Sequence, residues 1–297
     1  MMKRMLAGSL VVALAVAVTP AHAIIVYAMD NLGQFNAGTV GDRFIRFDTA
    51  NPNGTVVTLG QTGVLDEGMA GLDSNGAGTL YAASGFNASG GAFAGSKLYT
   101  VNPGTGACTL VGSLGLSSTN DVTDMSWNPV TNQMQATTYD SATGNNNLYT
   151  LNLATGAATL VGTISGVAGG LSIGLATSST GQNYLHDLAT DRMYTLTGLV
   201  ATPMAATLGF DSNYSQGMVM NWRGGNEWIL GYFNNTAFSS GVGSINIGTG
   251  AFTNIATWPV AGTGLPNYET GDLAILPEPA SLALIGLAGL VICRRRR

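Results

Sequence analysis

The sequence predicts an all-β fold, and within that class a β-propeller. It should have five four-stranded blades closed by pairing of the N- and C-terminal strands, with a short hydrophobic helix at the C-terminus. Three observations carry this. Residues 98–112 (LYTVNPGTGACTLVG) return almost letter for letter at 148–162 (LYTLNLATGAATLVG), and weaker copies start near Phe44, Met193 and Ser244. One supersecondary unit has therefore been copied along the chain. A second strand–turn–strand pattern alternates with it, at residues 71–84, 124–138, 170–188 and 217–233. Finally, 42 of 297 residues are glycine and only 9% are charged, a composition suited to short strands joined by many turns.

The chain opens with Lys3 and Arg4, an apolar run from Met5 to Val18, and the small residues Ala21 and Ala23 at positions minus three and minus one of a signal peptidase cleavage site. Residues 1–23 therefore read as a secretory signal peptide, and the run is short for an uncleaved anchor. Ile24 to Met29 is a strand by its β-branched and aromatic content. A glycine- and asparagine-rich loop follows over residues 31–42, and the first copied hairpin runs from Arg43 to about Val64. Within each copy two apolar segments flank a turn such as Asn102-Pro103-Gly104-Thr105-Gly106, where proline sets φ and glycine permits positive φ. Two alternating hairpins make four strands per unit.

Unit starts near residues 71, 124, 170, 217 and 272 are 53, 46, 47 and 55 residues apart. That is the length of a propeller blade and too long for a leucine-rich or β-helical rung. The last unit begins with residues 271–276 and runs out of chain, so Ile24 to Met29 and the hairpin from Arg43 are expected to complete it. A blade sewn from both termini removes the open edges that a row of sheets would expose. A β-sandwich or an open solenoid is the competing architecture. The propeller body is expected to span residues 24–276.

Composition restricts the partners. Fifteen of the sixteen acids but only five of the eleven basic residues lie in the body, whose formal charge is therefore −10. This disfavours nucleic acid or anionic lipid as its partner. Cys108 lies in a repeat and Cys293 in the apolar tail, so no disulfide is expected.

After the last strand come Pro277, Glu278 and Pro279, an uncharged apolar run over residues 280–293, and then Arg294, Arg295, Arg296 and Arg297. Fourteen residues give about 21 Å of helix, a marginal span, and the arginines would stay cytoplasmic. This order resembles the PEP-CTERM family of bacterial sorting signals: a Pro-Glu-Pro motif, a short hydrophobic helix and a basic cluster, preceded by a signal peptide. The resemblance covers residues 277–297. It implies that Pro277, Glu278 and Pro279 are recognised by an exosortase, a membrane transpeptidase or protease that removes the tail. It also implies a Gram-negative host with an exopolysaccharide or biofilm programme, and an inner-membrane intermediate that becomes a surface or extracellular protein. The body, with its LYTVNPGTGA-type repeats, is similar to bacterial extracellular propeller domains in which a Leu-Tyr strand leads into an Asn-Pro-x-Thr-Gly turn.

Catalytic groups are sparse. The body has a single histidine, His186, which leaves no imidazole pair for a metal or for acid–base work and suggests a structural role. Gly170-Leu171-Ser172-Ile173-Gly174 spells Gly-x-Ser-x-Gly, but it opens a strand–turn–strand pattern rather than a strand-to-helix elbow, and no motif ties its serine to His186. Acids cluster instead before or at the start of first strands: Asp66 and Glu67, Asp121 and Asp124, Asp211, and Glu269 with Asp272. In a propeller these positions gather round the axis. Converging oxygens suit a hard cation such as Ca²⁺; solvated loop acids are the plainer reading. Trp127 and Trp222 are placed in first strands and Trp228 and Trp258 on later ones, where packing between blades is expected and sugar stacking is the sharper alternative. Tyr99, Tyr149 and Tyr194 read as blade core. The function expected is binding or structural, in the envelope, the extracellular matrix or biofilm, and not enzymatic. A hydrolase or lyase using the axial acids on envelope polymers is the alternative.

Overall fold

The computed structural model describes residues 24–31, 41–65, 67–87, 95–168, 170–213, 216–259 and 268–277. Ala21, Ala23, Asp66, Glu278, Pro279 and the four terminal arginines lie outside the described residues. The chain begins in the closing blade, with β1 (Ile25–Asp30), β2 (Arg43–Asp48) and β3 (Val57–Gln61). Blade one holds β4 (Glu67–Ser74), β5 (Leu80–Asn87), β6 (Lys97–Val101) and β7 (Cys108–Ser113). Blade two holds β8 (Asn120–Asn128), β9 (Gln133–Asp140), β10 (Asn145–Leu151) and β11 (Ala158–Ile164). Blade three holds β12 (Ser172–Thr177), β13 (Asn183–Asp187), β14 (Arg192–Thr197) and β15 (Val200–Thr207). Blade four holds β16 (Gly217–Asn221), β17 (Glu227–Asn234), β18 (Ser239–Ile245) and β19 (Phe252–Thr257), and β20 (Thr270–Ala274) returns to the first sheet.

Each sheet is four-stranded and antiparallel, and the closing blade has the order β20-β1-β2-β3. β1 therefore bridges the two ends of the chain, with Ala28 opposite both Ile45 and Leu273. The innermost strands touch in the ring order β4, β8, β12, β16, β20 and back to β4. This is the five-bladed, end-closed propeller expected from the repeat spacing.

The repeated turn is local chemistry. Asn102 Oδ1 accepts the Gly104 amide at 2.9 Å, the Gly106 amide donates to the Asn102 carbonyl at 2.8 Å, and Gly106 takes φ +76. Asn152 with Gly156 and Asn246 with Gly250 repeat the arrangement. The closing blade departs from it. There Asn51 caps a single helical turn, α1 (Pro52–Thr55), with proline at its start.

The outermost strand of every blade pairs through a shifted register. Leu59, Val111, Val161 and Ile255 are the extra residues in four of these bulges. A bulge twists an exposed edge away from flat pairing with another chain, which suits strands as uncharged as TLVGS.

Aromatic residues fill the wedges between blades. Trp228 lies 4.9 Å from Tyr184 of blade three, and Trp258 meets Phe47 of the closing blade edge-on at 5.3 Å. Trp127 packs with Tyr81 of blade one. Trp222 corrects one expectation: it stands one residue past the end of β16, in the turn, because the strand stops at Asn221.

Candidate functional site

An innermost strand has a sheet neighbour on only one side, so amides on its axial edge need other acceptors. Two aspartates supply them across the gap between blades. Asp73 of β4 accepts the Trp127 amide of β8 at 2.7 Å through Oδ2, and its own neighbour's amide, Ser74, through Oδ1. Asp124 of β8 repeats this one blade on, accepting Leu175 of β12 and Met125, both at 2.7 Å. Asp272 of β20 is equally buried, and its Oδ2 has no hydrogen-bond partner.

Burial sets the proton affinity of this group. It pushes Asp73 up to about 7 against the pull of its amide donors. Asp124 is held well above the usual carboxylate range by burial and then by the charge of Asp272. Asp272 is raised by burial and then by Asp42. Burial therefore opposes the charged form at all three, unlike in an open anionic cage.

A second set of ties repeats around the ring, six residues before each outer turn: Asp42, Ser96, Asn146, Asp191 and Ser240. Asp42 Oδ2 accepts the Met69 amide at 2.8 Å, Ser96 Oγ accepts Val122, Asn146 Oδ1 accepts Ser172 at 2.8 Å, and Asp191 Oδ1 accepts Ser212 at 2.8 Å. Ser240 Oγ donates to the Tyr268 carbonyl. Each third strand thus holds the segment leading into the next blade. Burial and the nearby Asp30 push Asp42 up to about 7. The third-strand tyrosines work inward. Tyr99 donates to Glu67 Oε2 at 2.9 Å, while Tyr149 accepts from Asn120 at 2.9 Å and Tyr194 from the Ala168 amide at 3.4 Å.

The acids expected at the axis divide accordingly. Asp124 and Asp272 are sealed at the innermost strands. Glu67 pairs with Lys97 and Tyr99 at the start of blade one. Asp121 is half-buried, and burial and then the charge of Asp140 raise it. Asp211 is exposed and accepts Asn235 Nδ2 at 2.8 Å. Glu269 is buried, with its amide on Asp30 Oδ1 at 2.8 Å. Asp66 lies outside the described residues. Among the described residues no three His, Cys, Asp or Glu side chains form a group that could hold a metal ion. His186 is fully buried on β13, with Nε2 3.4 Å from Ser212 Oγ, and Ser212 Oγ donates to Asp191. With the serine proton given to Asp191, the imidazole is the donor to Ser212, which is the reverse of a nucleophile–base pair.

Sequence reasoning missed Asp73 and the Asp42 series. The clue was present: all five residues of the series stand at one offset from the turn and all are polar. Also unforeseen is the far end of the axis. There Arg223, in the turn after β16, stacks on Trp222 with its guanidinium carbon 3.8 Å from the ring centroid. Its Nη2 donates to the Asn75 carbonyl in the turn after β4 at 3.0 Å. Blades four and one are not neighbours, so this contact reaches across the mouth of the ring.

The axis predicts a pH dependence. Asp42 and Asp73 hold protons up to about 7 when folded but release them near 3.8 when unfolded. Their stabilisation is therefore complete below about pH 3.8 and disappears as pH rises through 7. His186 opposes this lower down: burial depresses it to about 4, so its contribution is lost as pH falls from 6.5 through 4. The melting midpoint is expected to rise as pH is lowered from about 8 towards 6.5, before the histidine term sets in. Asp73→Asn keeps an acceptor for Trp127 and is expected to flatten this slope by up to about 1.4 kcal/mol per pH unit. Thermal melts across pH check it, and a wild-type midpoint that climbs over that interval as pH is raised would refute the assignment.

Fold and site define a class: an end-closed, five-bladed propeller with carboxyls sealed at its axis and its chain leaving beside the innermost strands. The PEP-CTERM protein-sorting motif matches residues 276–297, so the chain carries a signal for export and exosortase processing through a membrane-anchored intermediate. No curated protein matches the chain. Among solved structures it is similar to regucalcin from Agrobacterium tumefaciens, described as a calcium-binding protein, at 15% identity over 79% of this chain and 71% of that one, TM-score 0.45. It is similar to TolB from Acinetobacter baumannii at 12% identity over 81% and 54%, TM-score 0.47. A protein from Lactobacillus plantarum aligns at 11% identity over 86% and 100%, TM-score 0.45.

Proposed function

We propose that residues 1–23 export the chain, that residues 277–297 hold it in the inner membrane with the body in the periplasm, and that an exosortase then releases residues 24–276 to the cell surface or matrix. There the propeller works as a binding or structural component, in exopolysaccharide or biofilm. The observation that carries this is the sorting motif beginning immediately after β20, the strand that completes the ring. The tail can therefore be cut away without removing any described strand. An intact mass of the protein recovered from its host is expected to lack both ends; a mass retaining the arginine cluster would overturn the sorting route. Pull-down of envelope and matrix polysaccharides by the recovered protein tests the binding role.

The competing reading is a hydrolase or lyase acting through Asp121 and Asp124, with or without Ca²⁺. It has less support, because both carboxylate oxygens of Asp124 are engaged by backbone amides.

A further inference from the structure

Every innermost and third strand runs away from the loops that lead into the blades, so the turns after those strands share one face with the end of β20. The tail leaves from that turn face. Ser74 Oγ donates to the Ile275 carbonyl at 2.9 Å. Pro277 packs so tightly on the turn after β4 that a Cβ on Gly78 would come within 2.8 Å of its ring. From Pro277 to Ala280, where the apolar run begins, three peptide units reach at most about 11 Å. A tail held in the membrane would therefore keep the body close to it by its centre rather than on a tether.

The two faces differ in their acids. The loop face carries Glu67, Asp121, Asp140, Asp191 and Asp211, interspersed with Arg43, Lys97 and Arg192, whereas the turn face has Asp48 and Glu227, with Asp73 buried close to Arg223. On the turn face Val130, Val200 and Ile247 are 61%, 57% and 38% exposed, and on the loop face Leu65 and Phe238 are 49% and 46% exposed; the Arg223–Trp222 stack sits at the axis of the turn face. Arginine and tryptophan favour the headgroup level of a bilayer, where a flat acid-rich face would be repelled.

We propose that, while the tail is in place, the propeller stands on the bilayer with its turn face against the lipid headgroups and its acid-rich loop face directed away. The occupant of the turn face is the membrane that holds the tail, and the inference rests on the sorting reading above. After release the same weakly charged face becomes free.

The test uses the full chain with its tail, carrying Cys108→Ala and Cys293→Ala, in vesicles of phosphatidylethanolamine and phosphatidylglycerol. A fluorophore is placed by Val130→Cys or Val200→Cys on the turn face, and by Ala142→Cys on the loop face. Flotation is read first, then quenching by a water-soluble quencher and by a headgroup-attached nitroxide. The expected result is co-flotation with labels at 130 and 200 several-fold less accessible to the water-soluble quencher than the label at 142, and quenched by the nitroxide. Equal quenching at all three positions in chains that co-float would overturn the orientation alone. Chains that do not float would overturn the anchor reading and the orientation with it.

Discussion

Deleting residues 24–30 is expected to leave an exported chain with no cooperative unfolding transition at room temperature. β1 lies between β20 and β2 and pairs with both. Its Val26, Ala28 and Met29 are fully buried, and Asp30 Oδ1 holds the Glu269 amide. Burying one valine or methionine is worth about 1.5–3 kcal/mol. The loss of two ladders adds to that and exposes the facing edges of β2 and β20. Together these losses compete with the whole stability of an ordinary domain, about 5–15 kcal/mol. Circular dichroism during heating checks it: a deletion variant melting at the wild-type temperature would show that the ring is not shut by this strand.

Gly217→Ala is expected to be among the most costly single substitutions in the chain. A Cβ there would lie 1.5 Å from the Gly271 carbonyl oxygen and 2.7 Å from the Asp272 Cα, both backbone atoms of β20. Neither can swing aside, so blade four and the closing blade would have to part at the axis, where Asp272 is buried. Overpacking of this kind costs about 3 kcal/mol or more. Gly144→Ala is the control. Its φ of +72 is strained for alanine, but nothing stands within 4 Å of its Cβ position, so the expected cost is about 1–2 kcal/mol. Urea midpoints at unchanged slope separate the two. Should the substitution at 217 prove no worse than that at 144, the innermost strands cannot be packed backbone to backbone.

The ring was legible because each of its parts is written locally. Leu98-Tyr99 and Leu148-Tyr149 alternate with the period of a strand, and Asn102 and Asn152 draw their own turns. The spacing of about fifty residues between units counts four strands. Closure was legible too, since Ile24 to Met29 reads as a strand without a sequence neighbour, and residues 271–276 read as a blade that ends after one. The axial chemistry was less legible. Asp124 and Asp272 stood out because they precede apolar strands, but nothing nearby shows that Asp124 is spent on Leu175, 51 residues on. Nor does anything near Asp73 show that it accepts the Trp127 amide, 54 residues on. Arg223 gave no sign that it would reach a carbonyl 148 residues away.

The amino-acid order alone determined the period, the turns, the strand count, the pairing of the two ends and the sorting tail, because each depends on residues a few positions apart or on spacing along the chain. Which carboxyls are sealed, which amides they satisfy and which face the tail leaves from were settled only when five sheets came side by side. Those properties depend on burial and on the register between distant strands, and a carboxyl's proton affinity follows its surroundings rather than its neighbours in the chain.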